Sequence, residues 1–184
     1  TNTPFPEKWG PVELATSSFG QGISTNSLQM VRAVSTIANG GVMMRPKIIK
    51  SVIDHQANKT IEVEPIKERE VISQKTAQTV TEMMVNSAQH GEAQWIFKDS
   101  NAVAGKTGTS QIPVKGGYKE DATIASFIGF APAENPRFVM LVKLNEPQSS
   151  PWAAETAAPL WYKVAGKLFL LLSVPPDSIA SPTP

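Results

Sequence analysis

The chain contains no cysteine among its 184 residues, which excludes disulfide bonds, thiolate zinc sites, iron–sulfur clusters and a cysteine nucleophile. It has only two histidines, so a histidine-rich metal site is not expected and a catalytic triad would have few candidate bases. An excess of one charge is also lacking, because 17 lysines and arginines stand against 16 aspartates and glutamates. This balance argues against nucleic-acid binding. The most apolar run, Leu168–Leu172, is far shorter than the roughly 20 residues that cross a bilayer.

What the sequence does contain is enough apolar material for a packed core, with 41% hydrophobic and 18% charged residues. Apolar residues at helical spacing predict one helix at about 26–39 and a second at about 74–89, which Ser73 caps. The apolar runs 122–130 and 137–144 predict two strands. Because only a short turn joins them, these strands must pair antiparallel.

The rest of the chain completes an α+β fold, a mostly antiparallel sheet flanked by helices. Residues 47–54 and 60–64 predict a hairpin, and 153–172 are helical in composition, with Pro159 marking either the helix start or a kink. Residues 1–22 and 115–121 have the composition of loops. Residues 1–174 are therefore predicted to form part of a single domain. Residues 175–184 are rich in proline and serine and are predicted to be a mobile tail.

The segment Gly105-Lys106-Thr107-Gly108 is compatible with two kinds of site. A phosphate-binding loop needs a further glycine five residues before Gly105 and a helix directly after the threonine. Position 100 is serine, and the residues after Gly108 favour a strand, so nucleotide binding is the weaker of the two hypotheses. The alternative is the Lys-Thr-Gly strand of the active-site-serine enzymes that recognise penicillin.

The residue types suit that second chemistry. Lys106 supplies a cation beside a nucleophile and a substrate carboxylate, and Gly108 has no side chain to keep an extended substrate from the strand edge. Thr107 and Thr109 lie on the same side of a strand because side chains alternate. Their hydroxyls can bind a carboxylate, and a nearby backbone N–H can bind an oxyanion. The simpler alternative is a threonine-rich edge strand with a solvated lysine.

Most of the chain resembles the C-terminal half of the transpeptidase domain of class B penicillin-binding proteins. The resemblance rests on ordered segments, with Asn26-Ser27 departing from the Thr-Pro that is common in the family. The segments are Phe19–Ile23, Ser27–Gln29, Thr36–Gly41, Arg45–Pro46, Met84–Asn86, Gly91–Ala93, Val103–Ser110, Phe127–Pro132, Pro136 and Ala157–Pro159.

The resemblance implies that Lys106 and Thr109 are catalytic and that Thr107, Gly108, Thr109 and Ser110 bind substrate. Thr109 would give its backbone N–H to the oxyanion hole, and both threonine hydroxyls would hold the carboxylate. Neither a metal nor an organic cofactor is implied. The expected ligands are peptidoglycan stem peptides and β-lactam antibiotics, outside the cytoplasm on the periplasmic side of the membrane.

The nucleophile that this family uses, a serine in Ser-x-x-Lys, is absent, because no serine here has a lysine three residues later. The Ser-x-Asn match Ser24-Thr25-Asn26 is interpreted as a helix cap. We therefore expect the chain to be inactive alone and to pack against an N-terminal segment of the same protein that carries Ser-x-x-Lys and any membrane anchor. The rival hypothesis is a degenerate transpeptidase fold that serves as a non-catalytic binding or scaffolding module.

Overall fold

The computed structural model describes residues 9–96 and 102–176. The chain divides into two compact units, residues 1–30 and 31–184. The described helices are α1 (Pro11–Ser17), α2 (Ser27–Ala38), α3 (Gln74–His90), a short 3-10 helix (Gln94–Ile96) and α4 (Ala157–Leu171). The described strands are β1 (Val42–Met44), β2 (Ser51–Asp54), β3 (Lys59–Glu62), β4 (Lys67–Glu70), β5 (Ala104–Val114), β6 (Gly117–Ala131) and β7 (Phe138–Asn145).

The first unit contains a helix, α1, where the composition predicted only loop. That prediction was wrong because Pro11 stands at the start of the helix, where a missing N–H costs nothing. The Glu13 carboxylate also accepts a hydrogen bond from the Gly10 N–H at 2.9 Å. The expected cap of α2 is confirmed, since Asn26 Oδ1 accepts from the Gln29 N–H at 2.8 Å and Gln29 Oε1 accepts from the Asn26 N–H at 3.0 Å.

The other two predicted helices, α3 and α4, are also present. The Ser73 hydroxyl accepts a hydrogen bond from the Thr76 N–H at 3.1 Å and so begins α3. Pro159 lies in the first turn of α4, which settles the choice between a helix start and a kink in favour of the start. Within the described residues, no helix combines the length and apolar character that crossing a membrane requires.

An antiparallel sheet in the order β5-β6-β7 forms the centre of the second unit. The predicted antiparallel pairing of β6 with β7 is confirmed, as is the β2–β3 hairpin. The loop predicted at 115–121 was wrong beyond Gly116, because Gly116, at φ +91°, makes a tight turn and β6 starts at once. The pairing of β1 with β4 was not predicted. Residues 177–184 of the predicted tail lie outside the described residues.

Each face of this sheet carries its own apolar cluster. On one face, Phe127 packs against α4, with its ring 5.2 Å from that of the fully buried Trp161. On the other face, Phe130 and Ala104 pack with Val34 of α2. The sheet is therefore fixed from both sides, as the α+β prediction required.

Tyr162 is the most perturbed titratable group of the described part, because burial raises the pKa of its hydroxyl to about 12. Above pH 10 the unfolded chain ionises this group while the folded chain does not. Stability that is present below pH 10 is therefore lost as the pH rises toward 12. We expect Tyr162→Phe to lose less stability over this interval, in urea unfolding at a series of alkaline pH values.

Near neutral pH the same variant should be as stable as the wild type or slightly more stable. The reason is that the Tyr162 hydroxyl has no hydrogen-bond partner within the described residues, so its removal breaks no bond. Tyr118→Phe is the matched control, because that side chain is 53% exposed. A Tyr162→Phe profile that falls as steeply as the control's would show that Tyr162 is not the source of the alkaline loss.

Candidate active site

Lys106 lies on β5, at an edge of the central sheet. Within the described residues, β5 pairs only with β6, so no strand occupies its outer edge. The lysine side chain is exposed at this edge. The strand continues to Val114 with no helix after the threonine, and this geometry excludes a phosphate-binding loop.

The alternation of side chains divides the motif between the two faces of the sheet. Thr107 and Thr109 stand opposite Phe127 and Ala125, on the face that α4 covers. Lys106, Gly108 and Ser110 stand on the other face, opposite Ile128, Ser126 and Ile124. The two threonines thus share one side, as the sequence predicted, and the lysine and the glycine share the other.

Gly108 lies over the hydroxyl of Ser126. That hydroxyl donates a hydrogen bond to the Gly108 carbonyl at 3.2 Å, and a Cβ at position 108 would stand 2.8 Å from it. Any side chain here would displace Ser126 and cover the sheet face beside Lys106. The absence of a side chain at position 108 therefore keeps this part of the strand accessible.

The hydroxyl of Thr107 joins two charged groups. Lys106 Nζ donates to Thr107 Oγ1 at 3.0 Å and to the Thr107 carbonyl at 3.2 Å. Thr107 Oγ1 is in turn 3.1 Å from Glu92 Oε2 and donates to it. Since Lys106 and Thr107 point to opposite faces, the ammonium group meets the hydroxyl by folding back along the strand edge.

The hydroxyl of Thr109 has a different kind of partner. Its Oγ1 accepts a hydrogen bond from the backbone N–H of Ala153 at 3.1 Å, in the connection between β7 and α4. Thr123 Oγ1 also donates to the Pro151 carbonyl at 2.6 Å, which ties the same connection to β6. The β7–α4 connection is therefore held against the strand that carries the motif.

Glu92 lies in the segment Gly91–Ala93 that contributes to the family resemblance, but the sequence assigned it no role, because nothing in that segment links it to Thr107. The residue stands 15 positions before Thr107, just past the end of α3. Met84 and Val85 of α3 pack on one face of the sheet, whereas Ala93 belongs to the cluster on the other face. The chain between them passes the edge of β5, and this path brings Glu92 to Thr107.

The described residues include no group of three or more histidine, aspartate or glutamate side chains placed to bind a metal ion. The polar groups that converge at the edge of β5 are instead one ammonium, two hydroxyls and one carboxylate. Such a set can hold a carboxylate ligand and assist a proton transfer. It contains no serine in the position of a nucleophile beside a lysine.

Comparisons with known proteins agree with this geometry. The sequence model of one protein family, the penicillin-binding protein transpeptidase domain, matches residues 2–166. Stage V sporulation protein D of Bacillus subtilis is 40% identical over 159 residues, which cover 85% of this chain and 25% of that protein. Penicillin-binding protein PbpB of Mycolicibacterium smegmatis is 34% identical over 180 residues, covering 92% of this chain and 28% of that protein.

Solved structures of penicillin-binding proteins are also similar to this chain. Penicillin-binding protein 3 from Mycobacterium tuberculosis, in complex with ampicillin, superposes with a TM-score of 0.83 and 33% identity. The superposition covers 97% of this chain and 42% of that one. The chain spans about a quarter of the length of the two curated relatives. With the lysine on an edge strand and the match over residues 2–166, the chain belongs to the transpeptidase-domain family of class B penicillin-binding proteins.

Proposed function

We propose that the complete protein that contains this chain is a peptidoglycan D,D-transpeptidase, and that this chain supplies one wall of its active site. The observation that carries the proposal is Lys106 on an edge strand, two positions before Gly108, with its ammonium group hydrogen-bonded to the Thr107 hydroxyl. An N-terminal segment of the same protein provides the Ser-x-x-Lys nucleophile and the membrane anchor. The domain then works outside the cytoplasm, on the periplasmic side of the membrane.

The proposed reaction is acyl transfer through that serine. The serine oxygen bonds to the penultimate carbonyl carbon of a stem peptide that ends in a D-amino acid, the C–N bond breaks, and the departing amine takes the serine proton. An amine of a second stem peptide then displaces the serine and restores its hydroxyl. A β-lactam reacts at the first step, its ring C–N bond opening while the ring nitrogen takes the proton.

The ammonium, hydroxyl and backbone N–H groups of β5 determine what this chain contributes to that reaction. Lys106 stabilises negative charge and helps the serine to lose its proton, and Thr109 offers its backbone N–H to the oxyanion and its hydroxyl to the substrate carboxylate. The Thr107 hydroxyl holds the same carboxylate, and Ser110 contacts the substrate next to Thr109 on the same strand. The substrate backbone lies along the open edge of β5 beside Gly108.

Exposed apolar side chains support the proposed N-terminal partner segment. Monomeric soluble proteins rarely leave large apolar patches open to water. The described residues nevertheless include many large apolar side chains that are more than half exposed. Examples are Val12, Leu14, Phe19 and Leu28 in the first unit and Ile48, Ile49, Ile53, Met83, Leu170 and Leu171 in the second.

The test is to incubate the complete protein with a fluorescent penicillin and to run it on a denaturing gel. We expect a covalently labelled band that persists on denaturation and that prior incubation with unlabelled ampicillin prevents. The chain of 184 residues alone should remain unlabelled, because it has no Ser-x-x-Lys. A complete protein that takes up no label would instead favour the non-catalytic binding module.

A further inference from the structure

A groove runs along α3 on the side that faces the end of α2 and the β6–β7 turn. It has a volume of about 770 Å³, and its lining residues all belong to the second unit. Both helices pack on the same apolar cluster of the sheet, α2 through Ile37 and α3 through Val85, and the groove lies between them. Nothing in the proposed reaction uses this space, which we call the α3 groove.

The floor of the α3 groove is apolar. Ala77 and Ala133 are buried there, whereas Ile37 and Val85 are only partly covered. An apolar side chain that entered the groove would therefore remove further apolar surface from water. The apolar lining residues are Ile37, Ala77, Val85, Ala102, Ala133 and Pro136.

The length of the α3 groove fits a short stretch of extended polypeptide. Gln74 and Gln89 both line it, 15 positions apart on α3. At a rise of about 1.5 Å per residue, these positions span about 22 Å of helix. An extended chain rises about 3.3 Å per residue, so about six or seven residues cover that length. A compact small molecule would leave most of the groove open.

The rim of the α3 groove has polar groups that suit a peptide backbone. Three glutamines, Gln74, Gln78 and Gln89, line the groove from α3. A primary amide carries both a donor and an acceptor, so it can pair with the N–H and C=O groups of an extended peptide. The rim can thus satisfy the backbone of a ligand whose apolar side chains lie on the floor.

The charge of the rim selects a positively charged ligand. Glu82 of α3 and Glu134 of the β6–β7 turn both line the groove, and both are exposed. Lysine, arginine and histidine are absent among the described residues that line it. Neither carboxylate has an ion-pair partner within residues 9–96 and 102–176. The groove therefore favours lysine or arginine side chains and repels phosphates and other anions.

The composition of the α3 groove indicates a partner that is a separate protein. A segment of the same domain that sealed the groove permanently would take both carboxylates out of water, which costs free energy unless each is paired. An apolar centre with a polar, charged rim is instead typical of an interface between proteins that also exist apart.

We propose that the α3 groove binds a short basic peptide segment of a partner protein in an extended conformation. The apolar side chains of that segment lie on the floor, and its lysines or arginines pair with Glu82 and Glu134. The inference does not depend on the transpeptidase reaction. Ala102, where the groove meets the sheet, lies four positions before Lys106, or about 13 Å of extended chain.

The test uses the complete protein and a fluorescein-labelled peptide of three leucine-lysine repeats, with binding followed by fluorescence anisotropy. We expect saturable binding, and a dissociation constant that is about 10-fold or more higher for the counterpart with glutamate in place of lysine. Raising the salt from about 50 to about 300 mM should weaken the binding of the lysine peptide several-fold, because the pairing carboxylates are exposed.

Variants of the rim locate the binding. Glu82→Lys combined with Glu134→Lys should raise the dissociation constant about 10-fold or more. Glu62→Lys combined with Glu155→Lys is the matched control, because it changes the net charge equally at exposed glutamates outside the groove. Gln78→Trp fills the groove without changing its charge and should also abolish most of the binding. A thermal unfolding curve of each variant checks its folding.

A thiol placed in the groove shows whether the space is open in the complete protein. Gln78→Cys should react with a maleimide beyond the level of the unsubstituted protein, and the lysine peptide should slow this reaction. A thiol that reacts only after denaturation would mean that another part of the same protein fills the groove, and the proposal would be wrong.

The binding measurements can also overturn the inference. A lysine peptide that does not bind saturably, or that binds no better than its glutamate counterpart, contradicts it. So does an equal loss of binding in the control pair of charge variants, because the peptide would then be attracted to the acidic surface in general.

Discussion

Replacing Lys106 by alanine in the complete protein is expected to lower the rate of acylation by a fluorescent penicillin about 10²- to 10⁴-fold, the range for losing one acid–base group. The variant removes the only ammonium group hydrogen-bonded to Thr107 within residues 9–96 and 102–176. It should not unfold the protein, because the lysine side chain is exposed. The measurement is the labelling rate on a denaturing gel, with a thermal unfolding curve as the check on folding.

Lys163→Ala is the matched control, since it removes an exposed lysine of α4 that has no place in the proposed site. Its labelling rate should equal that of the wild type. Lys106→Arg retains the positive charge in a larger group, so partial activity is expected. If Lys106→Ala were labelled as fast as the control, Lys106 would have no part in the chemistry and the proposed role of the strand would be wrong.

Truncating Trp161 to alanine should produce the largest loss of stability, about 3–5 kcal/mol in the free energy of unfolding. The side chain is fully buried, and its ring lies 5.2 Å from that of Phe127 and 6.0 Å from that of Phe138. Its Nε1–H also donates to the Met140 carbonyl at 2.9 Å, so the variant removes that hydrogen bond as well. Urea unfolding at neutral pH measures the change.

Trp152→Ala provides the comparison, because that indole is 58% exposed. It should change stability by no more than about 0.5 kcal/mol. Trp161→Phe preserves much of the ring but not the N–H, so its stability should lie between those of the two alanine variants. Equal stability of Trp161→Ala and Trp152→Ala would contradict the assignment of Trp161 to the core.

The sequence predicts those elements whose ends are marked by neighbouring residues. The helix Gln74–His90 follows a serine cap at Ser73 and stops before Gly91, and both signals are local. The antiparallel pairing of β6 with β7 follows from the short connection between them. Lys106 could be placed on a strand for the same kind of reason, from the residues immediately around it.

The features that the sequence did not predict depend on residues far apart in the chain. Val42–Met44 pairs with Lys67–Glu70, and neither short run alternates in a way that marks a strand. Glu92 reaches Thr107 only because the chain passes the edge of β5 after α3. The unlike partners of Thr107 and Thr109 likewise arise from tertiary packing, which spacing within one strand does not encode.

The hydrogen bond from the Ala153 N–H to Thr109 has a consequence for how this protein can vary. Ala153 is fully buried in the same apolar cluster as Trp161, so we expect a change in the packing of α4 to displace its backbone. A bulkier residue at the start of that helix would shift the β7–α4 connection and turn the Thr109 hydroxyl without touching any ligand. Under the proposed function, changes in hydrophobic packing would therefore alter ligand affinity from a distance, through a single backbone amide.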